Sequence, residues 1–229
     1  MNVSIIIPCF NEQNTIKEIV TSVKNYINQS DEIIVIDDGS TDNTIQILKN
    51  DLKDIIDKLI INHKNCGKGY SIRQGILSAS CEIILIQDAD LEYHPSDYKK
   101  LLKPIKNGIA DVVYGSRFIG SNERKVLYFW HTLGNKFLTI LSNFFTNLNL
   151  TDMEVGYKLF KSEVIKDIKI EENRFGFEPE VTAKIAKKEL RIYEVGVKYF
   201  GRKYADGKKI TWRDGFSALR CIIFYNLFR

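Results

Sequence analysis

The sequence predicts an α/β fold with a mainly parallel central sheet and helices on both faces. Segments of helical period, such as 15–26 and 44–52, alternate with short runs rich in Ile and Val. Near-continuous apolar strands that alternate with helices are typical of parallel sheets buried on both faces. Five such strands are predicted in the first half of the chain, at 3–7, 32–36, 58–62, 82–86 and 110–115.

The second half of the chain is less regular. A helix rich in aromatic residues is predicted over 126–148, and the alternating residues 191–200 indicate a strand. Further elements are predicted as a short strand at 155–161, a helix at 178–188, a loop at 201–209 and an amphipathic helix at 211–228. No repeat, low-complexity tract or Pro/Gly linker separates these segments. We therefore expect a single domain over 1–229 with a C-terminal elaboration.

Composition limits the class of protein. The 229 residues are 44% hydrophobic, which is enough for a sizeable core. The four cysteines show no C-x-x-C pair and no metal-ligand spacing, which favours buried thiols in a reducing compartment over disulfides. The N-terminus lacks a basic region before its short apolar stretch, and no run of about 18 apolar residues occurs. We therefore expect a cytoplasmic protein without a signal peptide or membrane span.

Charge is distributed unevenly along the chain. Residues 181–229 carry 12 Lys and Arg against 4 Asp and Glu, although the whole chain has a net charge of only +4. A basic face of this kind is either simply solvated or binds an anionic partner. The anions that fit are a phosphate, a nucleic acid or acidic lipid headgroups.

Chemically distinctive residues follow each of the five predicted strands. In chain order these segments are PCFNE, DDGSTD, NCGKG, DADLE and GSRF. In open α/β sheets, ligands bind beyond the carboxyl ends of the parallel strands. Five such segments at one edge of the sheet predict an active site there.

Three acidic residues are crowded together after the fourth strand. Asp88, Asp90 and Glu92 lie two residues apart, so an extended backbone points the first two in one direction. Carboxylate oxygens suit Mg²⁺ or Mn²⁺, which commonly bind one or two carboxylates together with substrate phosphates. The simpler alternative is a solvated turn, but the position at the ligand edge favours a metal site.

Two other segments have the composition of nucleotide-binding loops. Asp37 and Asp38 precede Ser40 and Thr41, either of which can cap the following helix, so the two carboxylates are predicted to be free for a nucleobase or ribose. Residues 65–75 look like a phosphate loop, but Asn62 and Gly69 stand where a Walker A motif needs Gly and Ser/Thr. With no G-x-G-x-x-G after the first strand either, P-loop hydrolysis and Rossmann dinucleotide binding are disfavoured.

Taken together, these motifs resemble a known family. SIIIPCFNE, VIDDGSTD, GKGYSIRQG, DADLEYHP and YGSRF, in this order, are similar to the nucleotide-sugar-binding half of family 2 glycosyltransferases with the GT-A fold. TDMEVGYKLF, RFGFEPE and YFGRKYADGKKITWRDG resemble the polyprenyl-phosphate sugar synthases, the dolichyl-phosphate mannose or glucose synthases. The resemblance implies a nucleotide-sugar-binding half at 1–120 and an acceptor-binding half at 121–229.

The resemblance also implies roles for individual residues. Asp88, Asp90 and Glu92 would ligate Mg²⁺ or Mn²⁺, and Arg117 and Arg202 would hold the acceptor phosphate. The implied nucleotide-binding residues are Pro8, Phe10, Glu12 and Asp37, with Asp38 and Lys68 nearby. Two positions depart from the family: Glu92 stands where Gln is common, and His131 stands where some relatives have a second phosphate-binding Arg.

The implied reaction is inverting, metal-dependent transfer of a hexose from GDP-mannose or a UDP-sugar to a polyprenyl phosphate. The protein would act as a peripheral protein on the cytoplasmic face of the membrane, because the chain has no predicted span. The residues expected to enter the interface are Tyr128, Phe129, Trp130, Phe224 and Phe228. Ordinary core packing or a homodimer is the alternative use of these aromatic side chains.

Two rival functions remain open at this stage. One is a glycosyltransferase that acts on a sugar hydroxyl in glycan assembly, which would need a general base such as Glu178 or Asp152. The other is a non-catalytic binder of anions or nucleic acid. The basic tail lacks the stacking aromatics of a known nucleic-acid motif, and acidic pairs repel phosphate in the absence of a metal, so we expect no nucleic-acid partner.

Overall fold

The fold is taken from a computed structural model that describes residues 1–120, 125–126, 128–202 and 212–229. For residues 212 and 213 only the backbone is described. Most of the loop predicted at 201–209 lies outside this range.

The described residues form a seven-stranded sheet and eight α-helices. The strands are β1 Val3–Cys9, β2 Glu32–Asp37, β3 Lys58–Ile61, β4 Ile83–Ile86, β5 Val112–Ser116, β6 Lys158–Lys161 and β7 Ile192–Gly196. The helices are α1 Ile16–Tyr26, α2 Thr44–Asn50, α3 Lys68–Ser78, α4 Tyr98–Lys106, α5 Phe129–Thr146, α6 Ser162–Lys166, α7 Phe177–Ala186 and α8 Trp212–Leu227. A short 3₁₀ turn, Pro95–Asp97, leads into α4.

The sheet is mainly parallel, as predicted. Its order is β3-β2-β1-β4-β6-β5-β7. The first four strands pair in parallel, and β5 pairs in parallel with β7. Strand β6 is antiparallel to both β4 and β5. Residues before β6 therefore lie at the same sheet edge as residues after the other strands.

Burial explains why the strands have near-continuous apolar sequences. Every residue of β1, β2, β4 and β5 is buried, because helices cover both faces of the sheet. Helix α1 shows how the cover forms: Ile16, Ile19, Val20 and Val23 share one face at helical spacing and are all buried.

The predicted elements are found with shifted ends, and three helices, α3, α4 and α6, were not among them. Helix α3 contains Gly75, where a Cβ would lie 2.5 Å from the Cγ2 of Ile6, so the glycine lets this helix pack closely on β1. Helix α4 contains Pro104, a residue that ordinarily argues against a helix interior. Close packing and the buried face of α4 override these local preferences.

An apolar face of α5 is exposed to solvent. Its exposed residues, Phe129, Trp130, Leu133, Phe137, Ile140 and Phe144, recur at intervals of three and four. Helix α8 packs against α5 and exposes Phe216, Leu227 and Phe228, whereas Phe224 is partly buried. Within the described residues, no helix is long and apolar enough to cross a membrane.

Candidate active site

A cavity of about 820 Å³ opens at the carboxyl ends of the parallel strands. Ten of the eleven predicted site residues line it: Pro8, Phe10, Glu12, Asp38, Lys68, Asp88, Asp90, Glu92, Arg117 and Arg202. Topology explains this convergence, because the segments after β1, β2, β3, β4 and β5 meet at one edge of the sheet. His131, at the start of α5, also lies on the cavity wall.

Both aspartates at the end of β2, Asp37 and Asp38, accept hydrogen bonds from other parts of the protein. Asp37 does not line the cavity: it is fully buried, and its Oδ1 accepts a hydrogen bond from the backbone N–H of Ser40 at 2.9 Å. The Asp38 carboxylate accepts bonds from the Asn62 side chain at 2.8 Å and from the backbone N–H groups of Cys66 at 3.0 Å and Gly67 at 2.7 Å. Neither carboxylate is free in the way the sequence predicted. Together they fix the loops that border the cavity.

Lys68 bridges acidic residues from distant parts of the chain. Its Nζ lies 2.8 Å from Oδ1 of Asp88 and 3.0 Å from Oε1 of Glu178. Burial opposes the charge of Lys68, but Asp88 and Glu178 outweigh it and hold the pKa of Lys68 well above its ordinary value. The ammonium group therefore stays charged and offsets the repulsion between the two carboxylates.

Arg202 neutralises part of the negative charge of a second cluster of acidic side chains. Its Nη2 lies 3.0 Å from Oε1 of Glu12 and 3.2 Å from Oδ2 of Asp90. Its backbone N–H donates to Oε1 of Glu92 at 2.7 Å, and the Tyr199 hydroxyl donates to Oε2 of Glu92 at 3.0 Å. Glu92 thus ties the segment after β7 to the cavity.

Each carboxylate of the predicted metal site has a protein partner in this structure: Asp88 contacts Lys68, Asp90 contacts Arg202 and Glu92 contacts Tyr199. Among the described residues, no three His, Cys, Asp or Glu side chains are grouped so that they could hold a metal ion. Glu92 accepts hydrogen bonds from the Tyr199 hydroxyl and the Arg202 backbone N–H, and its role as a third metal ligand stays a prediction.

The donor chemistry at Asp88 and Asp90 nevertheless fits a hard divalent cation. Burial, reinforced by the Asp88 and Glu92 carboxylates, raises the pKa of Asp90 to about 7. A carboxyl in this environment favours added positive charge, and two carboxylates are a common protein contribution to Mg²⁺ binding.

Arg117 and Asp152 form a buried, two-pronged ion pair. Nε of Arg117 donates to Oδ2 of Asp152 at 2.7 Å, and Nη2 donates to Oδ1 at 2.6 Å. The side chain of Asp152 is fully buried, whereas that of Arg117 is 9% exposed and borders the cavity. The guanidinium also lies over the Tyr199 ring at 5.3 Å. Asp152 positions Arg117, and its burial leaves no route by which it could take a proton from a substrate.

Several site residues were not predicted from the sequence. Glu154 lines the cavity, and Tyr199 holds Glu92 and packs against Arg117. Lys158 is fully buried, with its Nζ donating to the carbonyls of Met153 and Val155. Burial lowers the pKa of Lys158 to about 8, against the opposing effect of Glu178 and Glu154. The sequence signal for Lys158 was a lysine inside the largely apolar stretch MEVGYKLF, because a lysine is rarely fully buried unless its charge has a partner.

Comparison with known proteins places the chain in a family. The model of glycosyl transferase family 2 matches residues 4–169. The UDP-N-acetylglucosamine–dolichyl-phosphate N-acetylglucosaminyltransferase of Methanococcus voltae is 29% identical, over 97% of this chain and 93% of that protein. The dolichol-phosphate mannosyltransferase of Pyrococcus furiosus is 27% identical, over 92% of this chain and 61% of that protein.

A solved structure shows the same architecture. Glucosyl-3-phosphoglycerate synthase from Mycobacterium tuberculosis, crystallised with Mn²⁺, uridine diphosphate and phosphoglyceric acid, matches with a TM-score of 0.78. The two chains are 16% identical, and the match covers 100% of this chain and 79% of the other. The family model, which spans well over half of the chain, shows that this protein belongs to glycosyl transferase family 2 and is a glycosyltransferase with the GT-A fold.

Proposed function

We propose that the protein transfers a sugar from a nucleotide diphosphate donor to a polyprenyl phosphate of the dolichyl phosphate type. The observation that carries the proposal is that a single cavity presents the acidic pair Asp88 and Asp90 together with Arg117 and Arg202. The acidic pair suits a metal-bound diphosphate, and the two arginines suit a second phosphate. The relatives from Methanococcus voltae and Pyrococcus furiosus, both named for transfer to dolichyl phosphate, support this choice of acceptor.

We also propose that the reaction uses Mg²⁺ or Mn²⁺. Asp88 and Asp90 would hold the ion, and the donor phosphates would complete its coordination. When bound, such an ion supplies Lewis-acid stabilisation of the departing nucleoside diphosphate. The Mn²⁺ and uridine diphosphate named for the fold neighbour support this proposal at the level of the fold.

The chain's own residues supply the remaining donor contacts. Pro8, Phe10 and Glu12 follow β1 and border the cavity where a nucleoside would lie. Lys68 lies 2.8 Å from Asp88, so its charge is placed beside the proposed diphosphate site. The donor in this proposal is GDP-mannose or a UDP-sugar, and the relative named for UDP-N-acetylglucosamine adds an acetamido sugar to the candidates.

A phosphate acceptor removes the need for a general base. The second pKa of a phosphate monoester is about 6, so near pH 7 most acceptor molecules are dianions with no proton left on the oxygen that attacks the sugar carbon. Arg117, anchored by Asp152 and stacked near Tyr199, can hold this phosphate without losing its orientation. Asp152 anchors the guanidinium and Arg117 contacts the phosphate, which explains why Arg117 is mostly buried yet borders the cavity.

The acceptor's lipid tail requires an apolar surface, which we propose is the face of α5 and α8. Helix α5 contains no acidic residue and exposes Phe129, Trp130, Phe137 and Phe144. Such a face can enter the interfacial region of a bilayer, and nearby basic residues favour anionic headgroups. The protein would then act as a peripheral protein on the cytoplasmic face of a membrane, with a homodimer through the same face as the alternative.

The second candidate acceptor is a sugar hydroxyl. Glu178 favours it, because this carboxylate lines the cavity and is held 3.0 Å from Lys68, where a general base could sit. Asp152, the other base considered from the sequence, is withdrawn into the ion pair with Arg117.

Acceptor identity can be tested by presenting purified protein with nucleotide sugars, Mn²⁺ and either a short-chain prenyl phosphate or free sugars. We expect mass spectrometry to show a glycosylated prenyl phosphate and no glycosylated sugar. The Glu178→Gln variant should keep measurable turnover, because the phosphate oxygen needs no base. Transfer to sugar hydroxyls alone, with turnover abolished in Glu178→Gln, would establish the second candidate instead.

Arg117→Lys should weaken the grip on the acceptor phosphate. Lysine keeps the charge but loses the forked geometry, and losing a charge-assisted hydrogen bond costs about 1.5–3 kcal/mol. We expect the KM for prenyl phosphate to rise by roughly ten- to a hundredfold while the KM for the donor changes little. Arg202→Lys should affect both substrates, because Arg202 also contacts Glu12 and Asp90.

Arg191 offers a matched control for this experiment. It forms the same two-pronged contact, with Asp111, away from the cavity. Arg191→Lys should leave both KM values unchanged. An Arg117→Lys enzyme whose acceptor KM equals that of the wild type would remove Arg117 from the acceptor site.

Asp152→Asn should act on stability more than on chemistry. Breaking a buried ion pair by removing one partner costs about 3–5 kcal/mol, because the other charge is left uncompensated. We expect a loss of this size in urea unfolding, with turnover per folded molecule still measurable. A variant of unchanged stability that has lost all turnover would show that Asp152 takes part in the reaction itself.

A further inference from the structure

The carboxyl group of Glu154 lies on the cavity wall and has an unpaired oxygen. No described residue donates a hydrogen bond to either of its oxygens, and Oε1 is buried. Within the described part of the chain, no other buried side-chain nitrogen or oxygen lacks a partner. Buried polar atoms are almost always paired, so an unpaired one on a cavity wall indicates a group kept for a ligand.

The loop that carries Glu154 is held firmly on both sides. Before it, the backbone N–H groups of Thr151 and Asp152 donate to Glu194 at 2.8 and 3.2 Å. After it, the N–H of Gly156 donates to the Tyr93 hydroxyl at 3.2 Å. The backbone of Glu154 is therefore fixed while its carboxyl group is not, as expected of a group arranged in advance for a ligand.

This loop also lies directly against the proposed diphosphate site. A Cβ at Gly156 would stand 2.1 Å from Oδ2 of Asp88, so only glycine permits the approach. In a nucleotide sugar, the sugar is attached to the terminal phosphate of the diphosphate. A donor whose phosphates lie beside Asp88 therefore brings its sugar next to this loop.

The surroundings of Glu154 favour a neutral ligand over a charged one. Burial raises the pKa of Glu154 to about 8, and the nearby Glu178 carboxylate adds to the effect. Lys158, which opposes this shift, donates instead to the carbonyls of Met153 and Val155 and lies 4.9 Å from the centre of the Tyr114 ring. An uncharged carboxyl both donates and accepts hydrogen bonds, which matches a hydroxyl group.

We propose that Glu154 binds a hydroxyl group of the sugar being transferred and so determines which sugar the enzyme accepts. This inference rests on the proposed donor class, a nucleotide diphosphate sugar, and adds a residue for the sugar itself. A hydroxyl fits Glu154 better than a phosphate, because the neighbouring Glu178 and Asp152 carboxylates would repel an anion at this position. A site built to hydrogen-bond a substrate hydroxyl discriminates strongly against sugars that lack it in that position.

The inference can be tested by direct binding measurements, which do not depend on turnover. Titration calorimetry with Mn²⁺ present would compare UDP and GDP with UDP-glucose, UDP-N-acetylglucosamine and GDP-mannose. For the nucleotide sugar that the wild type binds best, Glu154→Leu should lower affinity at least tenfold, whereas affinity for the matching nucleoside diphosphate should not change. Glu163→Gln, on the exposed side of α6, is the control and should alter neither.

Thermal unfolding distinguishes a role of Glu154 in sugar binding from a role in stabilising the fold. Removing an unpaired buried carboxyl should raise the melting temperature of Glu154→Leu, because no protein hydrogen bond is lost. Glu154→Gln, which has nearly the same volume, covers the case in which the leucine variant fails to fold. In Glu154→Gln, the ratio of the affinity for the preferred nucleotide sugar to the affinities for the others should change by about tenfold.

Two results would overturn the inference. One is an unchanged ratio of nucleotide-sugar to nucleoside-diphosphate affinity in both Glu154 variants. The other is a wild type that binds nucleoside diphosphates but none of the nucleotide sugars, which would also contradict the proposed function. A selective loss of sugar affinity in a protein that transfers nothing to prenyl phosphate would support Glu154 while refuting the proposed acceptor.

Discussion

Repulsion among carboxylates at one edge of the sheet is the constraint on which the rest of the site depends. Parallel strands deliver Glu12, Asp88, Asp90 and Glu92 to the same cavity, and β6 adds Glu154 by running in the opposite direction. Carboxylates this close together can stay ionised only if positively charged groups lie between them. Lys68 and Arg202 provide that charge within the described structure, through contacts of 2.8–3.2 Å with Asp88, Glu12 and Asp90.

Two of these ion pairs join segments that are far apart in the sequence. Lys68 meets Glu178 across 110 residues, and Arg202 meets Glu12 across 190. Helix α7 and the segment after β7 are therefore held to the segments after β1, β3 and β4 by charge pairs inside the cavity.

Much of this site follows from sequence, because a parallel sheet brings the ends of its strands to one edge. The strand pattern, the motifs after each strand and the resemblance to a known family together predicted ten residues that line the cavity. The hydrogen-bond and ion-pair partners of the carboxylates could not be predicted, because these partners come from distant parts of the sequence. Asp37 and Asp38 were expected to be free for a nucleoside and Glu92 for a metal ion, yet these three carboxylates accept hydrogen bonds from backbone N–H groups and Tyr199.

The remaining failures have a common origin in tertiary contacts. Helix α3 was missed because its glycines look like loop residues until Gly75 is seen against Ile6. Glu154 was missed because nothing local distinguishes it, and only the direction of β6 places it at the cavity. Asp152 was considered as a base on residue type alone, and its buried contact with Arg117 assigns it to positioning.

The central claim is that the acidic cavity is completed by a divalent ion together with a nucleotide diphosphate. It is tested most directly by titrating Mn²⁺ into the protein with and without UDP or GDP. If Asp88 and Asp90 share the ion with donor phosphates, each ligand should tighten binding of the other by the same factor, at least tenfold, as linkage requires. Asp88→Asn should abolish the coupling. Mn²⁺ and nucleotide that bind independently in the wild type, or coupling that persists in Asp88→Asn, would contradict the account.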